Sequence, residues 1–250
     1  MWEMAKERKA KRVLGMCIVL AAVVGIASCA SPAQEHLRRG DEYLGQGQYD
    51  EAIAEYTAAV EADPDFAEAY NGRGLAYHEQ EESDRALADF DKVIELEPLH
   101  VEAYYNRGNV YSEKGQLQRA IADYDKATAL DPQFAMAYVN RAHAHLSKWD
   151  LVRAIADCDK AIELDPQLAL AYNNRGHAYR NKGEYDIAIA DFSRAIELDP
   201  NFAKAYFNRA FAYHKKGGNI PKAASDLEKC IEVSTDAGLT KAAHQLLERL

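Results

Sequence analysis

Several things this chain has little of narrow it before any motif is sought. Seven prolines in 250 residues are too few for a proline-rich linker or a collagen-like fibre, and 48% hydrophobic with 28% charged residues excludes a disordered chain. No glycine-rich phosphate loop follows a strand pattern and no nucleophile elbow is present, so nothing in the sequence supports catalysis or a cofactor. Basic charge is in deficit: the net charge is −10, and residues 1–28 hold five basic but two acidic groups, which leaves the remainder more acidic still. Such a body repels nucleic acid and anionic lipid. A spanning helix needs roughly 20 apolar residues, and the mostly apolar stretch Val13–Ile26 falls short of that.

What is abundant is repetition. Arg39, Arg73, Arg107, Arg141, Arg175 and Arg209 follow one another at a fixed step of 34, as do Pro64, Pro98, Pro132, Pro166 and Pro200. A constant period of that length marks stacked helical hairpins. In the most regular copy, Ala171–Pro200, residues Tyr172, Gly176 and Tyr179 share one face of a first helix, and Ala188, Phe192 and Ala195 one face of a second. Gly183 opens the turn between them. Asp199-Pro200 closes the unit, because proline disfavours helix at the residue before it.

Tyr70-x2-Arg73-Gly74-x2-Tyr77, followed by Ala86-x3-Phe90 and Pro98, resembles the tetratricopeptide-repeat pattern, with Tyr and Arg where that family usually has Trp and Leu. The resemblance covers about residues 33–234. It implies an all-α, right-handed superhelical solenoid of about six hairpins, at about 33–66, 67–100, 101–134, 135–168, 169–202 and 203–234. One continuous body is expected, with no internal domain boundary. The first unit is the least regular, the turn at Glu79–Asp84 reads as a solvated loop, and the sixth gains one residue at Gly217-Gly218-Asn219. Residues 235–250 carry Leu239, Ala242, Ala243, Leu246, Leu247 and Leu250 at helical intervals and read as a capping helix.

The basic stretch Lys6–Arg12 ahead of the apolar run resembles a bacterial export signal, and Ile26-Ala27-Ser28-Cys29 resembles a lipobox. That resemblance implies a signal peptide over 1–28, a lipidated Cys29 and a short tether over 29–34. The alternative is an uncleaved signal anchor. Either way the repeats are expected outside the cytoplasm, at the cell membrane or outer membrane. Of the other cysteines, Cys17 lies in the signal. Cys158 and Cys230 sit two hairpins apart, too far for a disulfide when helix axes are spaced about 8–10 Å.

Each column arginine has a carboxylate sixteen residues on, or seventeen for Arg209 after the insertion, which points to structural ion pairs: Arg73 with Asp89, Arg107 with Asp123, Arg141 with Asp157 and Arg175 with Asp191. His143 and His177 share a column and should face each other. Two ligands specify no metal, and no metal is expected. Asn106, Asn140, Asn174 and Asn208 recur although asparagine is a poor helix former. An amide both donates and accepts, so this column is a candidate ladder for a peptide backbone. Tyr105, Asn109, Val139, His143, Asn173, His177, Lys204, Phe207 and Phe211 are its expected neighbours, in a groove running from acidic to basic.

Tetratricopeptide arrays hold peptides or partner helices on the inner surface of their first helices, so the resemblance implies a lipid-anchored adaptor or scaffold for envelope assembly, not an enzyme. A permanent accessory subunit of a membrane complex, as in secretion or pilus assembly, is the alternative. The partners are protein or peptide, with membrane contact through the lipid anchor and neither nucleic acid nor a small-molecule substrate. Some family members clamp a partner's terminal carboxylate with Lys, Asn and Arg. Here Asn106, Asn140, Asn174 and Asn208 match Asn positions of that clamp, but the other clamp columns hold Leu37, Asp41, Tyr105, Val139 and Leu170, with Lys204 alone cationic, so the clamp is incomplete.

Overall fold

The computed structural model describes residues 30–250, so the expected signal peptide, Cys29 and Cys17 lie outside the described residues. Those residues form thirteen α-helices and no strand: α1 (Pro32–Gly45), α2 (Tyr49–Ala62), α3 (Ala67–Glu79), α4 (Ser83–Leu96), α5 (Val101–Glu113), α6 (Leu117–Leu130), α7 (Ala135–Ser147), α8 (Leu151–Leu164), α9 (Ala169–Lys182), α10 (Tyr185–Leu198), α11 (Ala203–Lys216), α12 (Ile220–Val233) and α13 (Ala237–Leu247). Odd-numbered helices from α1 to α11 are the first arms of six hairpins, and even-numbered ones the second arms. None of the described helices is long and apolar enough to cross a membrane.

The described residues divide into two compact units, 30–76 and 77–250, rather than the single body expected. A solenoid has no global core to prevent this, since each hairpin packs only on its neighbours. The division falls within α3, whose buried residues are all small: Ala67, Ala69, Gly72, Gly74 and Ala76. In the first unit, Ser31 and Gln34 cap α1 reciprocally, with Pro32 in the first turn. Tyr56 is fully buried and donates to Asp41 at 2.8 Å.

The turns inside the first five hairpins share one geometry. A residue with left-handed backbone follows the first arm, and the amide directly after it reaches back to close the turn: Gln116 N donates to Tyr111 O at 2.8 Å, and Glu184 N to Tyr179 O at 2.9 Å. Gly115 (φ 70°) and Gly183 (φ 82°) take this conformation without steric cost. Glu81 (φ 61°) and Trp149 (φ 60°) take it despite their Cβ atoms. The segment Glu79–Asp84 is therefore not an open loop but the same tight turn, closed by Glu82 N to Tyr77 O at 2.8 Å. Between hairpins, Asp131, Asp165 and Asp199 each accept the backbone N–H two residues on at 2.9 Å, so carboxylate and proline together end the second arm.

Inside the second unit, aromatic side chains of the second arms press on glycines of the first. A Cβ on Gly108 would come within 2.8 Å of the Tyr124 ring, and one on Gly176 within 2.8 Å of Phe192. The fourth and sixth units exchange both members of the pair, with Ala142 and Cys158, and with Ala210 and Leu227. The glycine column thus enlarges where the facing side chain shrinks. Cys158 and Cys230 are free, buried thiols. Burial pushes the Cys158 thiol up, out of the reactive range.

The column arginines bind in two directions. Arg107 donates from Nε and Nη2 to both oxygens of Asp123, at 2.8 and 2.6 Å, and from Nη1 to Asp91 at 2.6 Å. Arg141 does the same with Asp157 and Asp125, and Arg175 with Asp191 and Asp159. Arg209 holds Asp226 bidentately across the inserted residue and reaches Ser193 instead of a carboxylate. Each guanidinium therefore ties its own second arm to the second arm before it. The near carboxylates, Asp123, Asp157, Asp191 and Asp226, are 5–7% exposed. Arg73 and Asp89 fall in different units, and within the first unit Arg73 reaches Thr57 at 3.3 Å.

Candidate peptide-binding groove

First arms α5, α7, α9 and α11 stack side by side, so residues one period apart meet along a common face. On this face lies a cavity of about 490 Å³. Asn140 and His143 of α7 form one wall and Leu170, Asn173, Asn174 and His177 of α9 the floor. Lys204, Phe207 and Asn208 of α11 form the other wall, and Leu239 of α13 closes the end. A second cavity of about 310 Å³ shares Asn140 and His143 and continues along α5 past Asn109, Ser112 and Glu113. Glu113 is paired there with His78 at 2.7 Å.

The asparagines do not form the uniform free ladder that the sequence suggests. Asn140 Nδ2 donates to Tyr105 Oη at 3.0 Å and to Asn109 Oδ1 at 2.9 Å, and Asn109 Oδ1 also accepts from Tyr124. Asn208 Nδ2 donates to Asn173 Oδ1 at 3.0 Å, while its own Oδ1 accepts from Arg180 at 2.8 Å. These two amides stitch neighbouring hairpins together. Asn174 differs: it is 4% exposed, and its Nδ2 is buried without a partner. Asn106 lines neither cavity.

Val139, expected in the groove, is fully buried and packs with Ala161 and Ala171. One residue along a helix is a rotation of about 100°, enough to carry Val139 from the face of Asn140 into the core. Tyr105 is half-buried against Phe134, with ring centroids 4.7 Å apart. Phe211 lies beyond the cavity with Arg180 5.1 Å and Lys215 5.5 Å from its ring centroid. Leu239 was not anticipated as a groove residue; its place in the apolar stripe of the cap signalled packing alone.

His143 and His177 do share the cavity. His143 stands at its mouth, with more than a third of its surface open. Desolvation lowers its pKa first, and the charge of Lys204 lowers it further. His177 is pushed down to about 4 by burial, then by Arg180 and His143. Both rings are neutral at pH 7. Among the described residues, no group of three His, Cys, Asp or Glu side chains could hold a metal ion.

Sequence profiles described as tetratricopeptide repeat match residues 37–99, 101–134, 135–168 and 158–190, and one described as TPR repeat matches 176–217. No curated protein sequence matches the chain. Among solved structures, Cut9–Hcn1, a hetero-tetramer of the APC/C, superposes with a TM-score of 0.76 at 22% identity over 90% of this chain, which spans 44% of that one. A structure of MamA matches at 30% identity and TM-score 0.60, covering 66% of this chain and 96% of that one. YrrB, described as a TPR protein with an unusual peptide-binding site, matches at 28% identity and TM-score 0.59, covering 76% and 97%. With profiles registering on successive hairpins from residue 37 to 217, the chain belongs to the tetratricopeptide-repeat family.

Proposed function

We infer that this protein is a non-catalytic adaptor that lays an extended segment of a partner protein along the face of α5, α7, α9 and α11. The observation that carries this reading is the pair of contiguous cavities sharing Asn140 and His143, with the unpartnered amide of Asn174 in the larger one. A buried N–H without an acceptor is costly, and a peptide carbonyl or other acceptor in the cavity would remove that cost. The similarity to YrrB, itself described as having a peptide-binding site, supports the same reading. Asn140 and Asn208 contribute by fixing the spacing of the helices that form the walls, rather than by offering free amides.

The cellular setting comes from the resemblance at the N-terminus. Residues 1–28 serve as an export signal and Cys29 receives the lipid, so the repeats work outside the cytoplasm close to a membrane. Several acyl chains make that attachment stable, at about 0.8 kcal/mol per buried methylene.

The test is site-specific photocrosslinking in native membranes, with the probe at Leu170 inside the larger cavity or at Val152 on the outer surface. Both positions are exposed, so neither probe disturbs the core. The Leu170 probe should label one contiguous segment of a partner, located by mass spectrometry, and the Val152 probe should not. Labelling that is equal from both positions defeats the assignment.

A further inference from the structure

The edge of the second unit where first arms turn into second arms carries two features that the groove does not use. The first is a row of cations. Lys114, Lys148, Lys182 and Lys216 follow one another at the 34-residue period, each exposed and each at or directly after the end of a first arm. Stacking of those arms sets the four lysines side by side, at helix spacings of about 8–10 Å. At both ends of the row a carboxylate thirty residues earlier answers the lysine: Asp84 holds Lys114 at 2.9 Å, and Asp186 holds Lys216. In the middle that place is taken by Gln118 and Val152. Lys182 turns instead to Glu184 at 2.7 Å, and Lys148 makes no ion pair among the described residues. Arg119 and Arg153 stand exposed on the same two tips, the first on the Gln116 amide at 2.9 Å and the second on Asp150 at 3.3 Å.

The second feature is apolar. Of the six large hydrophobic side chains left exposed among the described residues, four belong to this edge: Trp149, 72% exposed, in the turn itself, and Val152, Ile187 and Ile220 in the first turns of α8, α10 and α12. Trp149 takes the left-handed backbone, φ 60°, that glycine takes in the third and fifth hairpins. A residue with a Cβ bears strain there, and an indole so exposed returns little packing to the fold. The turn thus holds an indole out into water at a cost.

We propose that this edge docks on an anionic lipid surface, with Trp149 and Val152 entering the interfacial layer while Lys148, Arg153 and Arg119 meet headgroup phosphates. Trp149 and Val152 project from a hairpin tip and line neither cavity of the groove, so they are shaped to enter a deformable surface. An indole, apolar in body with one N–H, suits the headgroup level, and Lys and Arg keep their charges in water while their stems lie on apolar matter. The acidic body as a whole repels such a surface, but charges beyond about 8–10 Å are screened in physiological salt. What the lipid meets is the local set: Lys148, Arg153, Arg119 and Lys182 against Asp150 and Glu184. Docked in this way, the first arms stand on the bilayer, and the groove that crosses them runs along it.

Tryptophan supplies the test. The chain has two, Trp2 and Trp149, so the full chain carrying Trp2→Phe reports on Trp149 alone. It is incubated with vesicles of phosphatidylcholine, or of phosphatidylcholine mixed with phosphatidylglycerol, each bearing bromine on the acyl chains to quench an indole that enters. The anionic vesicles should quench and blue-shift Trp149, high salt should reverse this, and the neutral vesicles should do neither. Lys148→Gln with Arg153→Gln should lower the ratio of docked to free indole roughly tenfold or more, at about 1 kcal/mol per surface cation. Val152→Asp should withdraw the indole with the far-ultraviolet circular dichroism unchanged. All three side chains are exposed, so the variants fold, and residues 1–29 are the same in every sample, so attachment there cannot produce the differences. Absence of quenching, equal quenching by neutral and anionic vesicles, or quenching that survives loss of the two cations overturns the inference. A blue shift that grows with protein concentration without vesicles also overturns it, and gives the edge to a second copy of the chain.

Discussion

Removing one guanidinium from the arginine ladder, by Arg175→Met, is the sharpest test of how the hairpins are held. Arg175 donates to both oxygens of Asp191, at 2.9 and 2.7 Å, and to Asp159 at 2.7 Å. Asp159 is about half exposed, so its leg is worth at most about 1 kcal/mol. Asp191 is 5% exposed, and burial already holds its pKa above the ordinary value while Arg175 pulls it down. Without the arginine only the upward push remains, and a buried pair broken in this way costs about 3–5 kcal/mol. The cost is capped, because Asp191 can fold protonated instead. At about 1.4 kcal/mol per pH unit above an unfolded value near 3.9, the cap is about 4 kcal/mol at pH 7 and about 1.5 at pH 5. The sign follows: the variant's folded state binds a proton that its unfolded state has released, so its stability falls as pH rises through that window. Hydrogen exchange, with urea unfolding followed by circular dichroism, should show a large loss at pH 7, centred on α9 and α10, that shrinks at pH 5. The double variant Arg175→Met with Asp191→Leu should recover most of it, since no buried charge is left. A loss under about 1 kcal/mol at pH 7, or one that does not change with pH, refutes the reasoning.

Other changes probe packing and the termini. Gly176→Ala gains about 1 kcal/mol of helix propensity but sets a methyl 2.8 Å from Phe192 and 3.2 Å from the Ala188 carbonyl. The overpacking should win, giving a net loss of about 1–2 kcal/mol by urea titration. Trp149→Gly relieves a left-handed residue whose side chain is 72% exposed, and should raise the urea midpoint by the equivalent of about 1 kcal/mol. Deleting 236–250 removes Leu239, Leu246, Leu247 and Leu250 from the cluster around Leu227 and Cys230. Amides near Cys230 should then exchange faster than those near Cys158, and equal protection would argue against a capping role. Cys29→Ser should release the protein from washed membranes, and an unchanged distribution would favour the signal anchor.

The hairpins were legible because the period is long, constant and built from backbone chemistry, glycine at turns and Asp-Pro at exits, that acts locally. Half of the ladder was legible too, since Asp123 follows Arg107 at the spacing of one hairpin. Its other half was written equally clearly in Asp91, Asp125 and Asp159, but a carboxylate on an outward turn looks solvated until the next hairpin is placed beside it. The groove was harder. Asn140 and Asn208 sit on the expected face, yet stacking brings Asn109 and Asn173 within reach of their amides, a contact between residues 31 and 35 apart. Val139 failed for a simpler reason, the rotation of a single residue. Glu81 and Trp149 show that the turn is imposed by closure of the hairpin, even where the local residue resists it.

Because Arg107, Arg141 and Arg175 each grip a carboxylate sixteen residues behind as well as one sixteen ahead, the seam between hairpins repeats wherever a whole period begins within that stretch. Excising residues 135–168 would bring Arg175 against Asp125 in place of Asp159, with the same donor and the same acceptor. Gene duplication or loss in steps of one period can thus lengthen or shorten the array, and with it the reach of segment it accommodates, without any new contact having to evolve.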